Sequence, residues 1–73
     1  MQPMAGVPKR LTEKQLKFAR LYVLNEGRMT ATDCAIAAGY AEDSAHVTAS
    51  RLQDPRHYPL VVEYIGSRRS ELL

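Results

Sequence analysis

Seventy-three residues suffice for one small domain, whose single hydrophobic core is only marginally stabilising by itself. Hydrophobic residues at 45% and charged residues at 25% exclude wholesale disorder, and the longest apolar and small-residue runs, such as AIAAGYA, fall far short of the roughly 18 residues that span a bilayer. A net charge of +2 allows a nucleic-acid partner without requiring one.

The charge is unevenly placed. Residues 1–28 carry six basic against two acidic side chains, residues 29–54 one against four, and residues 55–73 three against two. The positive excess therefore lies toward the N-terminus. Cys34 is the single cysteine, so an internal disulfide is excluded, and its apolar neighbours suit a small core residue. The opening MQPMAGVPKR lacks a long apolar signal core, which leads us to expect a soluble intracellular protein.

In chain order, residues 1–10 hold Pro3, Gly6 and Pro8 and end in Lys9-Arg10, a pattern that predicts a flexible arm, basic at its inner end. In LTEKQL, Thr12 can cap a helix and Gln15 can return the hydrogen bond, with Leu11 and Leu16 at the positions of a hydrophobic staple. The first helix is predicted over about 13–26, stopped by Gly27. At about 100° per residue, Leu16, Ala19, Tyr22 and Val23 share one broad face with Phe18 at its edge, while Leu21 and Leu24 project on another side near Lys17. One partner cannot cover both, so this helix is expected between the later turn and another helix, or with Leu21 and Leu24 against a second subunit.

Thr30 is placed to cap a second helix over about 31–38, with Asp33 near its positive end and Ala31, Ala35 and Ala38 lining one side. Gly39 stops it. A third helix follows over about 42–53, with Ala45, Ala49 and Leu52 as its inward stripe. DPRHYP breaks the chain at Pro55, and Pro59 suits the first turn of a fourth helix over about 59–72, weakened at Gly66. No segment alternates as a strand would. The expected fold is all-α: a small helix-turn-helix domain of three helices plus a C-terminal fourth, over residues 11–73.

Ala35, Gly39 and Ala45 meet the physical needs of a helix-turn-helix, namely a small residue at the crossing, a glycine where φ turns positive, and a small contact from the following helix. A structural helix hairpin needs the same residues, so the pattern alone does not separate DNA binding from plain packing. If the third helix reads DNA, its outward side chains Ser44, His46, Val47, Ser50 and Arg51 are the candidates for base edges. Thr30 and Thr32 are candidates for phosphate, with Arg28 just before them and Lys9, Arg10, Lys14 and Lys17 extending the basic surface along the arm and first helix. Glu42 and Asp43 open the third helix, where they would favour its dipole and repel phosphate.

Enzyme chemistry finds little support. His46 and His57 lack the spacing of a helical metal pair, no glycine-rich phosphate loop is present, and Glu42 and Asp43 diverge by about 100° on a helix. The expectation is a non-enzyme with no metal and no cofactor.

The segment LTEKQLKFARLYVLNEGRMTATDCAIAAGYAEDSAHVTASRLQDP resembles the N-terminal domain of tailed-bacteriophage terminase small subunits. The resemblance is carried by Leu11, Thr12, Lys14, Gln15, Phe18, Tyr22, Ala31, Thr32, Ala35, Ala38, Gly39, Tyr40, Ala45, Ala49, Arg51, Leu52 and Pro55, and it extends to about Ile65. It implies a DNA-binding helix-turn-helix domain whose third helix is the recognition helix. It further implies recognition of double-stranded viral packaging-site DNA, delivery to the large subunit that holds the motor and nuclease, self-association into a ring in the full-length protein, and action in the host bacterial cytoplasm. The family's capping Ser after Gly-Tyr is Ala41 here, which shifts the expected cap to Asp43 or Ser44, and its Asn-Pro is Asp54-Pro55. The family's central oligomerisation region does not follow, so the chain is expected to be either a DNA-binding domain from a longer subunit or a short relative assembling through the fourth helix. Two other readings stay open: a transcriptional regulator with the same motif, and a helical protein-interaction module using Leu21, Leu24, Leu60 and Tyr64.

Overall fold

The computed structural model describes residues 10–72, so the predicted arm, including Lys9, lies outside the described residues except for Arg10. Among the described residues four α-helices follow one another: α1 (Glu13–Leu24), α2 (Ala31–Ala37), α3 (Ala45–Leu52) and α4 (Pro59–Leu72), with a 3₁₀ turn (Glu42–Ser44) leading into α3. Among the described residues there is no strand, and the fold is all-α.

α1 starts where its local chemistry requires. The Thr12 hydroxyl accepts a hydrogen bond from the Gln15 N–H at 3.2 Å, and the Gln15 side-chain oxygen accepts from the Thr12 N–H at 3.1 Å. Two of the first turn's otherwise unpaired donors are thereby satisfied. The helix ends at Leu24, two residues short of the predicted Glu26, because of Asn25. Its backbone N–H and its side-chain amide both donate to the Leu21 carbonyl, at 2.9 and 3.0 Å, and Gly27 at φ +86° then reverses the chain.

α2 is capped by Thr30, whose hydroxyl accepts from the Asp33 N–H at 3.0 Å. It closes with a paired turn in which Gly39 N–H donates to the Ile36 carbonyl at 3.0 Å and Tyr40 N–H to the Ala35 carbonyl at 3.1 Å. That arrangement requires φ +106° at Gly39, which a side chain would oppose.

The start of the third helix differs from the sequence expectation. Glu42 to Ser44 form a 3₁₀ turn rather than the first α-helical turn, and neither Asp43 nor Ser44 makes a side-chain cap. With Ala41 lacking a hydroxyl, the tight Ser44 N–H to Ala41 carbonyl bond, 3.3 Å, takes up the end instead. α3 ends at Leu52, one residue before the expected Gln53. The Gln53 amide turns back to donate to the Ala49 carbonyl at 3.0 Å and accepts from the Tyr22 hydroxyl at 3.0 Å.

α1 packs against both α2 and α4, and α2 packs against α3. Phe18, Cys34, Leu52 and Val61 are the largest fully buried side chains, joined by Ala19, Val23, Ala35, Ala38, Ala45, Ala49 and Ile65. The alanines let α2 and α3 approach closely, and Phe18 supplies the bulk that this small-residue crossing lacks. Burial, and secondarily the neighbouring Asp33, pushes the Cys34 thiol above its ordinary pKa, consistent with a core side chain. α1 is thus covered on two sides, and Leu21 packs partly against the core, but Leu24 stays 66% exposed.

Candidate nucleic-acid interface

The Gly39 turn sets α3 across α2 and aims the stripe Ala45, Ala49, Leu52 inward. The opposite side of α3 is then left to solvent: His46, Val47, Ser50 and Arg51 are all exposed, Val47 by 50%. His46 and Ser50 share a shallow groove with Ala31 and Thr32 from the first turn of α2, floored by Ala49 and closed by Gln53. Two hydroxyls and an imidazole therefore line one trough, while Val47 and Arg51 stand beside it on the same helix. Such a surface offers hydrogen-bond donors, acceptors and a methyl group to a ligand that lies along it, with no enclosed cavity for a small molecule.

The remaining predicted residues fall elsewhere. Lys14 is brought to the turn: its ammonium lies 5.5 Å from the centroid of the Tyr40 ring, a cation–π contact, and its side chain passes Gly39. Lys17 is exposed on α1, and Arg28 on the loop between α1 and α2. The Thr30 hydroxyl is engaged as the α2 cap, and Ser44 is exposed in the 3₁₀ turn. Arg10 lies apart from the trough, lining a hollow with Leu11, Leu60 and Tyr64 on the α4 side.

Pairing divides the cations into two sets. Arg56 meets Asp54 at 3.4 Å, Arg68 meets Glu71 at 2.7 Å, and Arg69 meets Glu26 while lying over the Tyr22 ring. Among the described residues, Arg10, Lys14, Lys17, Arg20, Arg28 and Arg51 form no ion pair. The cations of the C-terminal third are thus committed internally, and those of the first helix, its loop and α3 are free to meet an external anion. Arg20 belongs to this free set and was not among the sequence candidates, because only the pairing pattern separates it from Arg68 and Arg69.

Asp54, which stands where the family commonly has Asn, has a local role. Its carboxylate accepts from the Arg56 N–H at 2.9 Å and faces the Arg56 guanidinium, and these contacts hold its pKa below the ordinary carboxylate range. Its charge is largely answered within the loop. Glu42 and Asp43, by contrast, are exposed and without an ion pair among the described residues.

No group of three or more His, Cys, Asp or Glu among the described residues could hold a metal ion, and no described helix is long and apolar enough to cross a membrane. A family model described as terminase small subunit matches residues 11–66. No curated protein and no solved structure gives a significant match.

Proposed function

The chain belongs to the terminase small subunit family, and on that premise we propose that residues 11–73 are a helix-turn-helix DNA-binding domain with α3 as its recognition helix. In this reading the protein is a non-catalytic subunit acting in the cytoplasm of the bacterial host. It recognises double-stranded DNA at a viral packaging site, self-associates into a ring in its full-length form, and presents the DNA to the large subunit.

One observation carries the assignment: the exposed Arg51, without an ion pair among the described residues, stands on the outward face of α3, next to a trough lined by Thr32, His46 and Ser50. A helix whose inner face is alanine and leucine and whose outer face is Arg, Ser, His and Val has the chemistry to enter a major groove. Lys14 at the turn, with Lys17 and Arg28, supplies charge for flanking phosphates. Glu42 and Asp43 disfavour phosphate near the start of α3, so the later turns, from His46 to Arg51, make the closest approach. Arg10, on the α4 side, contributes least of the cations proposed.

Few phosphates are neutralised by so small a basic surface, so a single copy binds weakly, its affinity falls with salt at a modest slope, and many copies together supply useful affinity. Fluorescence anisotropy with a labelled duplex at low salt tests this. The expected result is binding whose log affinity falls linearly with log salt, with a slope of roughly −3 to −4 for about four phosphates. No binding to any duplex at low salt would leave a helical protein-interaction module as the better reading.

A further inference from the structure

Two surface features outside the α2–α3 trough are unused by the reading above, and they complement each other. The first is a cleft between α1 and α4 of about 280 Å³, lined by Val23, Leu24 and Tyr64 and edged by Arg20, Arg68 and Glu71, the last two paired with each other. Leu24 is the most exposed large apolar side chain described, and Arg20 beside it has no ion pair among the described residues. The cleft is therefore an apolar hollow with a free cation at its rim. The second feature lies on α2, where Ile36, 36% exposed, stands one helical turn from the exposed Asp33. Asp33 likewise has no ion-pair partner among the described residues.

An apolar knob beside an acid matches an apolar hollow beside a base. The two sit on different elements, and the hollow takes no lining residue from α2. We propose that the α1–α4 cleft receives the Asp33–Ile36 face of α2 from a second copy of this chain, with Ile36 seated between Leu24 and Tyr64 and Asp33 paired to Arg20. Because the two surfaces are unlike, the contact is head-to-tail and repeats from copy to copy, the kind of interface that closes into a ring or extends as a filament. It gives the self-association proposed above a specific surface within this domain, and it rests on that reading only for its biological setting. The α3 side of the trough, His46 and Ser50, takes no part in either surface, while Thr32 on its α2 side lies one helical turn from Ile36 and borders the contact.

The contact is small, and an isolated pair binds weakly. It is tested by cross-linking at high protein concentration in a Cys34→Ala background, with one chain carrying Leu24→Cys and another Ile36→Cys. A short bismaleimide is expected to join the mixed chains roughly fivefold faster than either chain with itself, about the advantage of one favourable surface ion pair. Adding Arg20→Glu to the first chain removes the advantage, and adding Asp33→Lys to the second restores it, with circular dichroism verifying that every variant keeps its helices. Equal rates for mixed and like pairs, no cross-link, or failure of the double charge reversal to restore the rate would each overturn the proposal. The DNA-binding reading fails separately, since Arg51→Ala touches neither surface and leaves the cross-link unchanged.

Discussion

Replacing Phe18 with alanine is expected to lower the midpoint of this domain's cooperative thermal transition by roughly 12–40 °C, at about 4–8 °C per kcal/mol. Phe18 is fully buried and stacked on Tyr22 with ring centroids 5.8 Å apart. Most of the other side chains around it are small: Ala19, Cys34, Ala35, Ala38, Ala45 and Ala49. Alanines and a cysteine cannot lengthen to fill the space, so the cavity persists and the loss is about 3–5 kcal/mol. A domain of this length has about 4–11 kcal/mol in total at typical stability per residue. Far-UV circular dichroism against temperature checks this. A cooperative melt within a few degrees of the parent would mean that Phe18 is not the centre of the core.

The second large effect concerns DNA. Arg51→Ala should weaken duplex binding at low salt by about 1–3 kcal/mol, roughly fivefold to a hundredfold, if the guanidinium meets a base edge or a phosphate. Its exposure and its lack of an ion pair among the described residues mean that the substitution leaves the fold intact, so the loss is one of binding alone. Arg56→Ala is the matched control. Arg56 is equally basic and exposed but is held by Asp54 in the loop before α4, and anisotropy should show little change for it. Equal affinity of Arg51→Ala and parent would remove α3 from the interface.

How far the molecule could be read from its sequence depended on how local each determinant is. The all-helical class follows from periodicity, and the cap made by Thr12 and Gln15 follows from a four-residue pattern that needs no tertiary context. Gly39 was legible for the same reason, since its positive φ is a property of the turn itself. The ends of α1 and α3 were not legible. Asn25 and Gln53 each turn a side-chain amide back onto a carbonyl four residues earlier, a competition that composition does not announce. The missing cap of α3 was misjudged because the 3₁₀ turn satisfies by backbone geometry what the expectation gave to Asp43 or Ser44.

The candidate site was legible as a set of residue types but not as a surface. Thr32 lies beside His46 and Ser50 only because α2 and α3 cross at their alanines, and Lys14 reaches the turn only because Tyr40 offers its ring there. Arg10 looked continuous with Lys14 in sequence, yet it borders α4. Which cations are free depends on partners as distant as Glu26 for Arg69, 43 positions apart, a separation at which sequence gives no pairing signal.

In the proposed function DNA lies along the outward face of α3, with the turn beside it. Titrating a short duplex at low salt into uniformly ¹⁵N-labelled protein and following the amide resonances by NMR tests it most directly. The largest shifts are expected at Lys14, Thr32, His46, Val47, Ser50 and Arg51, while the second half of α4, from Gly66 to Glu71, stays in place. Shifts confined to α4 and the cleft it shares with α1, or no shifts at all, would contradict that placement of DNA.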